Sequence, residues 1–151
     1  MEWTKGEFVV TDERSRMDQL AIGDLLRTTY WAGERTQPVV DKCVETSLNF
    51  GMFQGDRLVG YARIVTDYAT QAYLCDVVIA EVLRGRGLGS WLLECVLNHP
   101  DLATCRIDLV TGDAHEFYRK YGFGSHRYDF LVRYPPDDYA GGSGSDQDGE
   151  S

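Results

Sequence analysis

No apolar run in this chain approaches the roughly 18–20 residues needed to cross a bilayer, so a helical membrane span is excluded. The opening stretch, Met1-Glu-Trp-Thr-Lys-Gly-Glu7, lacks the basic start and apolar centre of a secretion signal, and an intracellular, cytoplasmic protein is expected. Cys43, Cys75, Cys95 and Cys105 include no C-x-x-C pair, and His99, His115 and His126 fall at no metal-ligand spacing. Reduced packing thiols and no metal are therefore expected. No internal repeat is present. Positive charge is also short: 15 basic against 24 acidic residues give a net charge of −9, with only three lysines beside twelve arginines. Such a field disfavours nucleic-acid phosphates and attracts cations.

What remains suits a single globular domain. A chain of 151 residues can bury about two-thirds of the surface its unfolded form exposes, and 43% hydrophobic with 12% aromatic content supplies a core. From Gly141 the sequence turns to glycine, serine and acids, too polar to fold. The expected organisation is a domain over 1–140 and a disordered acidic tail over 141–151, as a monomer or homodimer.

The most informative stretch is Asp76-Val-Val-Ile-Ala-Glu-Val-Leu-Arg-Gly-Arg-Gly-Leu-Gly-Ser90. Val77, Val78 and Ile79 read as a buried strand; Gly85, Gly87 and Gly89 form a turn before a helical pattern beginning near Ser90. A helix N-terminus leaves amide N–H groups unpaired and carries partial positive charge, so it binds anions. Glycines let the backbone approach a phosphate, and Arg84 and Arg86 add fixed charge. A Walker loop is excluded because no lysine follows the glycines. A dinucleotide turn nearly fits, with Gly85, Gly87 and Ser90 followed by Asp108, but Asp108 lies inside the strand pattern Arg106–Val110 rather than at a strand's end.

Arg84-Gly-Arg-Gly87-Leu88-Gly89 instead matches Arg/Gln-x-x-Gly-x-Gly/Ala and resembles the GNAT superfamily of acetyl-CoA-dependent N-acetyltransferases. A second block, Thr111-Gly-Asp-Ala114-His-Glu-Phe117-Tyr118-Arg-Lys-Tyr-Gly122-Phe123, is similar to that family's Asn-x-x-Ala-x-x-x-Tyr-x-x-x-Gly-Phe. Thr111 replaces the usual Asn, and Glu81 stands where Pro often follows the strand. The resemblance implies an α/β (mixed α+β) fold, a mostly antiparallel mixed sheet with helices on both faces, and acetyl-CoA as cofactor. It also implies that residues 84–90 hold the CoA pyrophosphate, and that the Val78–Ile79 strand splays from its neighbour to admit the pantetheine arm. Thr111, Ala114, Phe117 and Tyr118 would complete the cofactor wall.

Read in order, Glu7–Thr11 is a strand, Ser15 to about Thr29 an amphipathic helix, and Val39 to about Leu48 a second helix entered through Pro38. A hairpin follows, turning at Gln54-Gly-Asp56 into Arg57–Val65, with Gly60 marking a bulge or a close backbone approach. Gly122 is placed to cap the helix carrying Tyr118, and Gly124–Tyr134 is expected to close the sheet as paired strands.

Acetyl transfer to an amine needs a polarised thioester, a deprotonated amine and a proton for the leaving thiolate. Tyr118 matches the family's tyrosine at the CoA sulfur and is the expected acid; a phenol with pKa near 10 stays protonated at neutral pH. Asp76, opening the cofactor strand, is the expected base, with Asp67 second. The Ile79 N–H would polarise the thioester. Tyr30, Trp31, Arg35, Thr66, Asp67 and Tyr73 are expected around the acceptor. Arg35 either pairs with an acceptor carboxylate or phosphate, or with Glu34 or Glu45, which would leave the acidic field to favour a polyamine or aminoglycoside. The expected activity is N-acetylation of a small-molecule primary amine by a direct ternary complex. The alternatives are protein lysine or N-terminal acetylation, or a non-catalytic acyl-CoA sensor.

Overall fold

The computed structural model describes residues 1–136; the expected tail at 141–151 and the end of the expected domain lie outside them. Six strands, β1 (Glu2–Lys5), β2 (Phe8–Thr11), β3 (Leu48–Gln54), β4 (Arg57–Thr66), β5 (Gln71–Ile79) and β6 (Arg106–Asp108), form one sheet in sequence order. All neighbours are antiparallel except β5 and β6, which run parallel. Helices α1 (Gln19–Leu26) and α2 (Gln37–Thr46) cover one face, where Ile22, Leu25, Leu26, Val40 and Val44 pack with Tyr61 and Val78. Helix α3 (Leu88–Leu97) covers the other with Phe50, Ile64, Leu74 and Leu92, and Phe117, Tyr118 and Tyr121 of the α4 region (helix His115–Arg119) lean on that same core.

Local chemistry sets the helix ends. Asp18 accepts from the amides of Leu20 and Ala21, so α1 starts at Gln19 and not at Ser15. Leu48 continues the four-residue spacing of Val40 and Val44 only by coincidence: Ser47 is extended, and Leu48 opens β3 on the opposite core. Asn49 closes α2, because its amide donates to the carbonyls of Val44 and Ser47 at 2.8 and 3.1 Å. Gly122, at φ 87°, follows α4 as expected.

Two bulges redirect the central strands. Met52 pairs with Gly60 while Phe53 pairs with Leu58, leaving Val59 as the extra residue. The bulge expected at Gly60 is thus there, but what a Cβ on Gly60 would meet first is side chain, Ile79 Cδ1 and Met52 Cβ at 3.0 Å, with the Val78 carbonyl oxygen at 3.4 Å. The second bulge leaves Cys75 unpaired between the pairs Arg63–Asp76 and Ile64–Leu74. It matters for the site: strict alternation would put Leu74, Asp76 and Val78 on one face, whereas Leu74 packs in the α3 core and Val78 in the α1–α2 core. Asp76 is thereby turned towards α1 and α2.

Two expectations fail at the edges. Glu2–Lys5 adds an unanticipated strand, joined to β2 through Gly6 at φ 59°. Gly124–Tyr134 forms no strand. Its template would be β6, which offers only three residues, and the His126 ring takes the Tyr128 amide at 3.0 Å, closing a turn in place of a ladder.

Candidate active site

Parallel pairing of β5 with β6 covers only Gln71–Tyr73 against Arg106–Asp108. Beyond it β5 runs on to Ile79 while the other chain turns away through Leu109–Ala114, and the divergence opens a cleft of about 640 Å³. One wall is the free edge of Leu74–Ile79; the other is Leu109–Ala114 with Phe117 and Tyr118. The mouth is bordered by Thr28–Trp31 and Arg35 from the connection after α1, and Arg84 and Gly89 stand at the α3 end.

The backbone at the α3 end is built for a polar ligand. Gly87 caps α3 at φ 76°, and Gly85 lies at φ 81°; around either, a Cβ would meet nothing within 4 Å. Side chains are costly there because of the left-handed φ, and the space above the helix start stays open. Arg84 Nε donates to the Ile79 carbonyl at 3.0 Å and its Nη2 to Thr28 Oγ1 at 3.3 Å, tying the loop to the cleft. Arg86 sets its guanidinium 5.5 Å from the Phe8 ring, and Leu88 is buried in the core.

Ala80 N–H donates to the Val59 carbonyl of β4 at 2.8 Å. Alternation along a strand then turns the N–H and C=O of Ile79 to the opposite edge, where Arg84 meets the carbonyl. The Ile79 N–H accordingly faces the cleft. Tyr118 is half-buried, with Phe117 and Phe123 set edge-on at centroid distances of 5.0 and 5.8 Å. Burial raises the pKa of its phenol, and the Asp113 carboxylate adds to the shift, so it remains a proton donor at neutral pH.

Asp76 has no exposed side-chain surface. Its Oδ1 accepts from Trp31 Nε1 at 3.2 Å and Arg35 Nη1 at 3.1 Å; its Oδ2 accepts from Arg35 Nη1 at 2.9 Å and Arg63 Nε at 2.8 Å. Burial pushes its pKa up, but the guanidiniums of Arg35 and Arg63 outweigh it and hold the carboxyl below the usual range. A carboxylate so held is a weak base. Arg35 pairs with this carboxylate, not with Glu34 or Glu45.

Several expected acceptor residues lie elsewhere. Asp67 accepts from the amides of Ala69, Thr70 and Gln71 and from Thr70 Oγ1, which drives its pKa well below the carboxylate range, while Thr66 bonds the Gln71 carbonyl; both build the β4–β5 turn. Tyr73 faces a second cavity of about 350 Å³ with Asp108 and Phe130; Leu109, Val110, Thr111 and Tyr118 border both it and the cleft. Arg63 was missed. Its signal was available: a lone cation in the run Val59–Val65 needs a buried partner, and Asp76 is the one acid in the adjoining strand.

A sheet that parts beside a glycine-capped helix, with a protonated phenol at the gap, makes this cleft the candidate active site. Residues 11–123 match the model of the Acetyltransferase (GNAT) family, and the chain belongs to that family of acyltransferases, which use acetyl-CoA. A Xanthomonas campestris pv. campestris structure, provisionally described as an acetyltransferase of the GNAT family, is 36% identical, with a TM-score of 0.81 over 91% of this chain and 99% of its own. A Gibberella zeae protein provisionally named an acetyltransferase is 28% identical over 83% of this chain and 84% of its own length. A GNAT acetyltransferase from Elizabethkingia anophelis described with acetyl-CoA bound shares the fold at a TM-score of 0.60 and 16% identity, over 78% of this chain and 76% of its own.

Proposed function

We propose that this protein transfers the acetyl group of acetyl-CoA to the primary amine of a small molecule in a direct ternary complex. The observation that carries the reading is the divergence of β5 from β6 beside the open, glycine-capped start of α3. The residues present fit the cofactor: unpaired first-turn amides at Leu88, Gly89 and Ser90, with those of Gly85, Arg86 and Gly87, suit a pyrophosphate, and Arg84 supplies charge there. Val78, Thr111, Ala114 and Phe117 would line its path. Acetyl-CoA, when bound, supplies the activated thioester and a thiolate leaving group.

The chain's own groups then divide the work. The Ile79 N–H donates to a carbonyl oxygen laid along the β5 edge, and the Tyr118 hydroxyl gives a proton to the leaving sulfur. Asp76 does not serve as the base, because protonating it would break its contacts to Arg35 and Arg63; it positions those guanidiniums. The ammonium proton passes to water at the cleft mouth. Catalytic efficiency should therefore rise with pH towards the pKa of the amine, about 10 for an alkylamine.

Free-thiol release from acetyl-CoA, measured over amino acids, polyamines, aminoglycosides and short peptides beside a no-amine control and a cofactor-binding titration, tests the reading. Release that depends on a small amine supports it. Release only with peptides would make the protein a peptide acetyltransferase. Binding without release would make it a sensor.

A further inference from the structure

The cluster beneath the cleft mouth carries information about the acceptor. Within Trp31, Arg35, Arg63 and Asp76 there are two guanidiniums and one carboxylate, a net charge of +1 in a protein whose total is −9. All four contacts to Asp76 come from this protein's own donors, so it has no lone pair to spare for an incoming ammonium. Arg63 is 10% exposed and directs Nη1 to Ser47 Oγ at 3.2 Å. Arg35 differs. Only its Nη1 is engaged, leaving Nε and Nη2 without a partner among the described residues. No buried side-chain polar atom there lacks a partner, so these N–H groups reach solvent, and Arg35 lines the cleft.

Resting on the acetyl-transfer reading, we propose that the acceptor is an amine bearing an anionic group, a carboxylate or phosphate, and that Arg35 anchors that group. The guanidinium fork matches two anionic oxygens, and Asp76 fixes its plane from behind. Trp31, held to the same carboxylate and set edge-on to Tyr30 at 5.2 Å, forms the apolar side of the seat. The long-range acidic field opposes an anion, but salt screens it beyond about 8–10 Å, whereas a contact with Arg35 in the cleft is screened far less. The acidic surface therefore does not select the acceptor; the guanidinium does.

The test compares matched acceptors: glycine with glycinamide, β-alanine with its amide, O-phosphoethanolamine with ethanolamine, and spermidine as the cation, all by thiol release. A charge-assisted fork is worth about 10–100-fold, so at least one acid should exceed its neutral partner in kcat/KM by that factor. The carboxylate and phosphate pairs separate the two sources. Amides give up their amine proton more readily than the acids do, so chemical reactivity runs against the expected result. In Arg35→Gln the acid-to-neutral ratio should collapse towards one while acetyl-CoA binding is retained; Arg35→Lys, which keeps the charge and the pair with Asp76, should recover part of it. Neutral amines or spermidine used as well as the acids would overturn the anchor while leaving acetyl transfer intact, as would a ratio unchanged in Arg35→Gln. No acetyl-CoA binding and no release with any amine would overturn the transfer reading itself. The wild-type comparison decides the matter even if Arg35→Gln folds poorly.

Discussion

The two ends of the cleft are made of different material. At the α3 end, proposed for the cofactor, the surface is largely backbone: loop amides and a left-handed Gly87, with Leu88 buried in the core and Arg86 set over Phe8. At the other end, proposed for the acceptor, it is side chain: Trp31, Arg35, Arg63 and Asp76, drawn from the connection after α1 and from two strands. A backbone site depends on contiguous residues and constrains them to glycine. A side-chain site depends on which segments the fold brings together, and its stability depends on every charge being met.

The comparison predicts that damage at the acceptor end appears first as lost stability. Asp76→Asn leaves the buried Arg63 guanidinium and the partly buried Arg35 guanidinium facing each other without their carboxylate, and should cost about 3–5 kcal/mol in denaturant unfolding. If the variant instead keeps its stability and loses only turnover, Asp76 is the base after all. Gly87→Glu should do the reverse, lowering acetyl-CoA affinity by at least about 100-fold while costing only about 1–2 kcal/mol of stability for a Cβ at positive φ. Normal cofactor affinity in that variant would remove the loop from the site.

Tyr118→Phe lies between the ends. It should lower kcat by about 100-fold with little change in acetyl-CoA affinity, since the ring packing survives. Unchanged turnover would take the phenol out of the mechanism. The smallest effect concerns acid. Asp76 has a folded pKa lowered by Arg35 and Arg63, and Asp12 one lowered, against burial, by its bonds to His99 and the Met1 ammonium. Lowered folded values mean that the stabilisation is complete above the unfolded carboxylate value near 3.9 and is lost as pH falls through the folded ones. Stability should be flat between about pH 5 and 7 and decline below about 4, and Asp12→Asn should soften that decline while costing only about 1 kcal/mol at pH 7. A decline already complete at pH 5 would contradict the assignment.

Much of the fold was legible because it follows from short-range rules. Glycines before α3, Asp56 after Gly55 in the β3–β4 turn, Pro38 at the start of α2 and Gly122 after α4 each mark an element by local sterics. The errors lie where a distant partner decides. Asp67 and Thr66 looked free to bind a ligand, yet their oxygens belong to the turn they sit in. Gly124–Tyr134 alternates like a strand but meets an edge only three residues long. Leu48 fits a helical spacing, but its place in β3 is fixed by Ile64 across the ladder.

The amino-acid sequence by itself determined the family, the glycine turn before α3 and the short helix that carries Tyr118, because each motif block rests on residues within one turn or one helix of one another. Only the tertiary structure decided which side chains Asp76 meets. A single bulged residue, Cys75, reverses the face on which Asp76 emerges and sets it against Arg35, Arg63 and Trp31, residues 13 to 45 positions away. Strand parity and long-range charge pairing are properties of the assembled sheet, and no local pattern records them.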